Sequence, residues 1–154
     1  MTTFETPISG TSGPRFGPGP ARQLITATAI IAMTTAMLDS TADDVGLFYV
    51  PAGAVIVYAN ISGTDMDTNG TPTLAIDIGD SGDEDRIFAA SAVGQAATFS
   101  HAMAIAGHLY KYTTATQLRA YIQAVSATGA AGTLKVSVTY FVDESFSTTA
   151  LTAS

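Results

Sequence analysis

The sequence contains no cysteine and no tryptophan, and it has only six basic side chains. The absence of cysteine excludes disulfide bonds and thiolate metal sites. No lysine or arginine lies between Arg22 and Arg86, although ten of the thirteen acidic residues lie in that interval. With a net charge of −7 the chain repels phosphate backbones, so we expect no direct binding to nucleic acid.

Long apolar runs and basic amphipathic segments are also missing. The most apolar stretch, residues 24–38, is interrupted by threonines and is shorter than the roughly 20 apolar residues that a membrane-spanning helix needs. No polybasic patch predicts attachment to a membrane surface. The first residues, Met-Thr-Thr-Phe-Glu, have neither the basic nor the apolar region of a signal peptide, so we expect none.

Small and apolar residues fill the chain instead. Hydrophobic residues make up 47% of the 154 positions and charged residues only 12%, which is about half of the roughly 25% usual in soluble proteins. Alanine, threonine, serine and glycine take the place of charged side chains. This composition favours strands over solvated helices, and it suits a surface that lies against other proteins. The length predicts one domain.

Residues 1–20 are predicted to form an extended arm. Eight of these twenty positions are glycine or proline, which leaves little room for a helix or a strand ladder. The arm is either a disordered terminus or a strap on a neighbouring subunit, with Phe4, Ile8 and Phe16 as its apolar anchors. Residues 21–143 are the predicted domain, and residues 144–154 are a polar tail.

Residues 49–80 are the most informative part of the domain. Leu74, Ile76 and Ile78 alternate with small or polar residues, and this period of two predicts a strand with one solvent-facing side. Residues 63–71 before it are rich in Asp, Asn and Gly, so the segment is predicted to be a hairpin. In its first strand two sets of residues are predicted to face opposite ways: Val55, Val57, Ala59 and Ile61 on one side, and Ile56, Tyr58 and Asn60 on the other.

Similar patterns predict further strands at residues 22–33, 47–50, 87–90, 108–113, 116–126 and 133–142. Residues 91–106 fit a loop, a short strand near Phe99 or a helical turn. The last two strands are the most regular, and their predicted inward residues are Leu118, Ala120, Ile122, Ala124, Leu134, Val136, Val138, Tyr140 and Val142. Short strands separated by turn signals predict an all-β fold, an antiparallel β-sandwich of the eight-stranded jelly-roll type.

The predicted outward strand positions are more apolar than a solvated sheet face should be. They include Ile56, Tyr58, Tyr121, Val125 and Phe141. Exposed apolar patches usually mark interfaces. We therefore predict homo-oligomerisation through these positions and the arm, with a trimer favoured.

One short motif has the spacing of a metal site. Asp65, Asp67 and Asn69, followed by Gly70, match the first half of a calcium-binding loop, which places hard oxygen ligands around a tight turn. The second half does not match, because Ile76 occupies the position of the bidentate glutamate. The alternatives are a weak calcium site and a turn whose Asp and Asn side chains bond to the local backbone.

Other candidates for chemistry are weaker. The acidic run at residues 80–85 is typical of a solvated loop, although Arg86 could partly neutralise it. His101 and His108 are too far apart for the two-histidine motif of metal-binding jelly rolls. The six tyrosines could form a platform for sugar rings, but such aromatics are more typical of cores and interfaces. No nucleophile elbow, phosphate-binding loop or dinucleotide fingerprint occurs in the sequence, so we expect neither an enzyme nor a cofactor.

The chain resembles head decoration or cement proteins of tailed bacteriophages. Four stretches carry the resemblance, which spans residues 45–142: Val50-Pro-Ala-Gly-Ala54, Leu74-Ala-Ile-Asp-Ile-Gly-Asp80, Asp85-Arg-Ile-Phe88 and Gly132-Thr-Leu-Lys-Val-Ser-Val-Thr-Tyr140. The resemblance implies a small, non-enzymatic jelly-roll domain, commonly trimeric. It also implies synthesis in the host cytoplasm and a place on the capsid surface of the virion, where major capsid subunits meet.

Two other functions stay open at this point. A carbohydrate- or receptor-binding β-sandwich of a phage tail or fibre would present a concave aromatic patch. An enzyme on a jelly-roll scaffold would need the His and Glu metal pattern that the sequence lacks. A decoration protein would instead present a flat or arm-extended interface to an assembled shell.

Overall fold

A computed structural model describes residues 24–143 of the chain. The strands are β1 (Ile25–Met33), β2 (Asp44–Val50), β3 (Ala54–Gly63), β4 (Ala75–Asp80), β5 (Asp83–Ser91), β6 (Phe99–Ser100), β7 (Thr116–Ala124) and β8 (Gly132–Val142). Helix α1 is a single turn at Thr35–Leu38, and a 3-10 helix covers Ile105–Gly107. The predicted tail and the predicted arm, with Phe4, Ile8 and Phe16, lie outside the described residues.

The strands form two antiparallel four-stranded sheets, in the orders β1-β8-β3-β6 and β2-β7-β4-β5. The first strand pairs with the last, the second with the second to last, and so on inward to β4 and β5. This nested pairing results when one long antiparallel hairpin is rolled into a sandwich, which is the jelly roll. The predicted all-β, eight-stranded fold is confirmed. Across residues 24–143, no helix is long and apolar enough to cross a membrane.

The core lies between the two sheets, and the alternation in β7 and β8 defines much of it. The predicted inward residues Leu118, Ala120, Ile122, Leu134, Val136, Val138 and Tyr140 are all buried. Each fully buried Leu or Ile contributes about 1.5–3 kcal/mol to stability. Ser137 on the opposite face is buried too, because β8 is an inner strand and the Ser137 hydroxyl lies 2.9 Å from the Thr28 hydroxyl on β1.

The faces of β3 differ from the prediction. The ladder with β8 shifts register between Ile56 and Tyr58, so Val57 is an extra residue in a β-bulge. As a result Ile56 and Ala59 both point into the core, and Tyr58 points outward. The prediction that Ile56 is an outward interface residue is therefore wrong, because its side chain is fully buried.

The connection from β3 to β4 is not the predicted hairpin. β3 pairs with β8 and β6 in one sheet, and β4 pairs with β7 and β5 in the other, so residues 64–74 cross between the sheets. We call these residues the crossing. The prediction failed because the same Asp, Asn and Gly residues favour a tight turn and a longer connection alike.

β4 also lacks the predicted solvent-facing side. All six of its residues are buried, because β4 lies between β7 and β5 and the start of β5 folds over its outer face. A Cβ atom on Gly79 would overlap the backbone carbonyl groups of Asp83 and Glu84, so only glycine leaves room for this close approach. The ladder between β4 and β5 shifts register twice along its length.

Residues 91–115 close one edge of the sandwich, beside β3 and β5. Residues 108–113 do not form the predicted strand. They instead make a few backbone hydrogen bonds to β3, including Leu109 N–H to Ile56 O at 2.9 Å and Tyr112 N–H to Ala54 O at 2.8 Å. The chain also bonds to β5, where Ala104 N–H donates to Ile87 O at 2.8 Å. We call residues 87–110 the β5–β6 edge.

Candidate functional site

The predicted calcium motif lies in the crossing, where Asp67 is buried. Asp67 Oδ2 accepts hydrogen bonds from the backbone N–H groups of Thr73 (2.7 Å), Leu74 (3.0 Å) and Ala127 (2.9 Å), and its Oδ1 accepts one from Thr128 (2.9 Å). Burial by itself raises the pKa of Asp67, but these four donors outweigh it and hold the pKa well below its ordinary value. The carboxylate therefore ties the crossing to the loop between β7 and β8.

Asp65 and Asn69 do not converge with Asp67 on a cation site. Asp65 is exposed. Asn69 Oδ1 accepts a hydrogen bond from Thr71 N–H at 2.8 Å, and its Nδ2 donates to Thr128 Oγ1 at 3.0 Å. In the described part of the chain, no three His, Asp or Glu side chains are grouped closely enough to hold a metal ion. The geometry favours bonding to the backbone over a calcium site, with both local donors (Thr73, Leu74) and donors distant in sequence (Ala127, Thr128).

The acidic run at residues 80–85 contains a second buried carboxylate. Asp80 Oδ2 accepts hydrogen bonds from Arg86 Nε at 2.7 Å and from the Tyr112 hydroxyl at 2.9 Å, and Oδ1 accepts one from Gly82 N–H at 2.8 Å. Burial raises the pKa of Asp80, but these three donors and the Arg86 charge hold it below its ordinary value. The Arg86 guanidinium also lies 3.8 Å from the centroid of the Tyr110 ring. Arg86 thus neutralises Asp80, and the two side chains together link β5 to Tyr110 and Tyr112.

The tyrosines do not assemble into a sugar-binding platform. Tyr112 and Tyr140 are buried, and Tyr110 lies against Arg86. The two most exposed, Tyr49 and Tyr58, lie on β2 and β3 in different sheets. Stacking on a sugar ring needs aromatic faces on one accessible surface, and these residues do not provide it.

The predicted interface residues are spread over both sheets. Tyr58 is exposed on β3 in the first sheet, and Phe141 is half-buried near the end of β8 in the same sheet. Tyr121 is half-buried on β7 in the second sheet, and Val125 is exposed just after that strand. These residues do not form one continuous patch.

The β5–β6 edge presents large apolar side chains that the sequence analysis did not single out. Ile105 is 92% exposed, Leu109 68% and Phe99 61%. A groove of about 350 Å³ opens between β5 and β6 on the same edge, lined by Phe88, Val93, Phe99 and several alanines together with Ser91, Thr98 and Ser100. One signal could have found this edge: residues 87–110 contain no Asp, Glu, Lys or Arg.

Two solved phage capsid structures contain chains similar to this one. A chain of the cyanophage Pam1 capsid asymmetric unit is 33% identical, with a TM-score of 0.73, and the match covers 88% of this chain and 99% of that chain. A chain of the capsid of Ralstonia phage GP4 is 30% identical, with a TM-score of 0.69, and the match covers 83% of this chain and 91% of that one. No protein-family model and no curated protein matches the sequence.

A third chain shares the fold alone. It comes from a capsid structure of Helicobacter pylori bacteriophage KHP30, with 15% identity, a TM-score of 0.52 and coverage of 79% of this chain and 93% of that one. The identity to the Pam1 and GP4 chains is twice as high and extends over nearly their full lengths. The chain described here therefore belongs to the family of bacteriophage capsid proteins that those two capsids contain.

Proposed function

We propose that the chain is a non-enzymatic decoration protein that binds the outer surface of a phage head and stabilises it. The observation that carries the proposal is the match over 99% of a chain from the Pam1 capsid, at 33% identity. A likeness of that extent supports a role for the whole sandwich in a capsid. The proposed partners are the major capsid protein and further copies of this chain in a trimer.

The hydrogen bonding of the buried polar side chains supports a structural role. In the residues the structure describes, every buried side-chain nitrogen and oxygen has a hydrogen-bond partner within the chain. Two of the three buried carboxylates, Asp67 and Asp80, hold the crossing and the segment at Tyr112 in place. A sandwich held in place by such internal hydrogen bonds is preorganised, so it loses little conformational entropy when it binds a partner.

The positions of the domain ends support a role for the arm. Ile25 at the start of β1 pairs with Tyr140 near the end of β8, and Val142 pairs with Ala54 on β3. The segments before residue 24 and after residue 143 therefore begin at the same end of the first sheet. A chain can extend by up to about 3.3–3.6 Å per residue, so the arm is long enough to reach well beyond this domain. We propose that this end of the sandwich is turned toward the shell.

Binding to shells tests the proposal. Purified shells that lack the protein are mixed with it and sedimented, and the bound copies are counted per major capsid subunit. We expect saturable binding and a rise in the temperature at which the shells break down, because a ligand that binds only the intact state stabilises that state. The proposal fails if the protein does not sediment with shells but binds tails or host-surface carbohydrate.

A further inference from the structure

We propose that the β5–β6 edge, residues 87–110, is the surface through which copies of this chain associate. The occupant of this surface is a second copy of the same edge. This inference deepens the proposed function, because it rests on that function's assembly of several copies and names the surface that each copy uses.

The exposed apolar side chains of this edge are its first distinguishing feature. Ile105 is the most exposed large hydrophobic residue in the described chain, and Leu109 and Phe99 lie on the same edge of the sandwich. A single exposed leucine or isoleucine needs no explanation, but three large apolar side chains within one uncharged edge mark that edge as a candidate contact surface. Burying them against another apolar surface removes them from water.

Leu109 adds a second, independent feature. Its φ is +56°, in the left-handed region that favours glycine and disfavours bulky side chains. The Leu109 backbone is thus strained, and its side chain is exposed although its N–H is bonded to Ile56 O on β3. Backbone strain of this kind is common at functional positions.

The charge distribution favours this edge as the contact between two copies. The chain has a net charge of −7, and its exposed acids include Asp43 and Asp65 in loops, and Glu84 and Asp85 at the start of β5. Two copies that meet through such surfaces bring like charges together, which opposes association. The β5–β6 edge carries no Asp, Glu, Lys or Arg, so copies can meet there without this repulsion.

The groove gives the edge a shape that its own apolar side chains can fill. It has a volume of about 350 Å³, and its lining combines the apolar side chains of Phe88, Val93 and Phe99 with alanines and the hydroxyl-bearing Ser91, Thr98 and Ser100. Ile105 projects from the same edge, next to Ala104, which is bonded to β5. A projecting residue and a receiving groove on one edge allow each copy to give and to receive a contact, which closes into a ring when the rotation between copies permits.

Ile30 provides the matched control for this edge. It is also an exposed isoleucine, at 69%, but it lies on β1 at the opposite edge. In the ladder with β8, Ile30 pairs with the exposed Lys135, so the surface around Ile30 is charged, unlike the β5–β6 edge. A charged substitution at Ile30 therefore alters an exposed isoleucine outside the proposed surface.

The test measures the mass of the full chain in solution by sedimentation equilibrium, for the unmodified protein, Ile105→Asp and Ile30→Asp. We expect the unmodified chain and Ile30→Asp to assemble alike into multiples of the 15.8 kDa chain. We expect Ile105→Asp to weaken association by about 100-fold or more, since it places an unpaired charge in an apolar contact. Its circular dichroism spectrum should be unchanged, because Ile105 contributes nothing to the core.

A second variant separates association from folding. Asparagine tolerates the left-handed region better than leucine, so Leu109→Asn should keep or raise the melting temperature of the dissociated chain while weakening association by about tenfold. A fall in the melting temperature without weaker association would assign Leu109 to the fold and overturn its role in the contact.

The outcomes separate this inference from the proposed function. The inference is wrong if the unmodified chain is a monomer at high concentration, if Ile105→Asp assembles normally, or if Ile30→Asp also dissociates. Normal assembly of Ile105→Asp with loss of shell binding would mean that the edge faces the shell, and the decoration role would stand. Assembly that depends on Ile105 in a protein that binds no shells would leave the inference standing and reject the decoration role.

Discussion

At the scale of single residues, two of the three buried carboxylates explain how a chain with few charges holds its loops. Asp67 accepts hydrogen bonds from four backbone N–H groups in two separate segments. Asp80 accepts hydrogen bonds from the side chains of Arg86 and Tyr112 and from the backbone N–H of Gly82. Hydrogen bonds to a charged acceptor are roughly twice as strong as neutral ones. These two side chains link segments that are distant in sequence, as a disulfide bond or a longer strand ladder does in other small domains.

Asp67→Asn should lower the free energy of unfolding by about 2–4 kcal/mol, because the amide offers only one acceptor oxygen and buried N–H groups lose their partner. Urea unfolding at neutral pH measures the change. Asp65→Asn is the matched control, since Asp65 is an exposed acid two positions away, and it should change the unfolding free energy by less than about 0.5 kcal/mol. Equal effects of the two substitutions would contradict the role given to Asp67.

The same carboxylate predicts a dependence on pH. The pKa of Asp67 is lower in the folded chain than its ordinary value of 3.8, so its contribution to stability is present in full above that value and is lost progressively as the pH falls below it toward the folded-state pKa. Burial raises the pKa of Asp77, which acts in the opposite direction. The difference between the unmodified chain and Asp67→Asn should therefore shrink from pH 6 to about pH 2. A difference that is constant over this range would contradict the assignment.

Gly79 tests the close approach of β5 to β4. Gly79→Ala places a Cβ atom against the carbonyl groups of Asp83 and Glu84, and overpacking against backbone should cost about 1–3 kcal/mol or more. Gly70→Ala is the control, because a Cβ atom there meets nothing within 4 Å. Thermal unfolding of the two variants measures the effect. A Gly79→Ala protein as stable as Gly70→Ala would show that β5 can move away at little cost.

At the scale of elements, local patterns predicted the strands that have one buried face. β1, β7 and β8 show a period of two in the sequence, and the structure confirms them at Ile25–Met33, Thr116–Ala124 and Gly132–Val142. β4 also shows the period but is covered on both sides, which only its neighbours in the sheet determine. The bulge at Val57 places Ile56 and Ala59 on the same face, because one inserted residue reverses the alternation of the residues after it relative to those before it.

The candidate site was harder to predict than the strands, because the residues that bond to each other there are distant in sequence. Asp67 bonds to Ala127 and Thr128, which lie 60 and 61 positions away. A motif search reads only neighbouring residues, so it found a calcium half-motif where the fold uses long-range hydrogen bonds. The β5–β6 edge was missed because its residues fit no periodic pattern.

The arm is the element whose role remains a proposal. Deleting residues 2–20 should leave the circular dichroism spectrum and the melting temperature nearly unchanged, because the strands β1 to β8 lie within residues 25–142. It should weaken attachment to shells, since Phe4, Ile8 and Phe16 could each bring about 1.5–3 kcal/mol on burial, before ordering costs of about 1 kcal/mol per residue. Co-sedimentation with shells measures the loss. A truncated chain that binds as tightly as the full chain would assign no role to the arm.

At the scale of the whole molecule, the chain is a jelly roll with a braced interior and an uneven surface. Exposed acids lie on loops and at the start of β5, whereas the β5–β6 edge contains no Asp, Glu, Lys or Arg and exposes three large apolar side chains. The two similar chains that define its family are both components of phage capsids. The net negative charge makes copies of the chain repel each other over most of their surface, and the neutral edge does not. Such a surface favours one specific contact between copies over non-specific aggregation.

Quantitative mass spectrometry of purified virions, with heads and tails separated, tests the decoration role most directly. The account predicts that the chain is found with the heads, in a fixed and high copy number relative to the major capsid protein. A chain found only with tails or fibres, or absent from the virion, would contradict it.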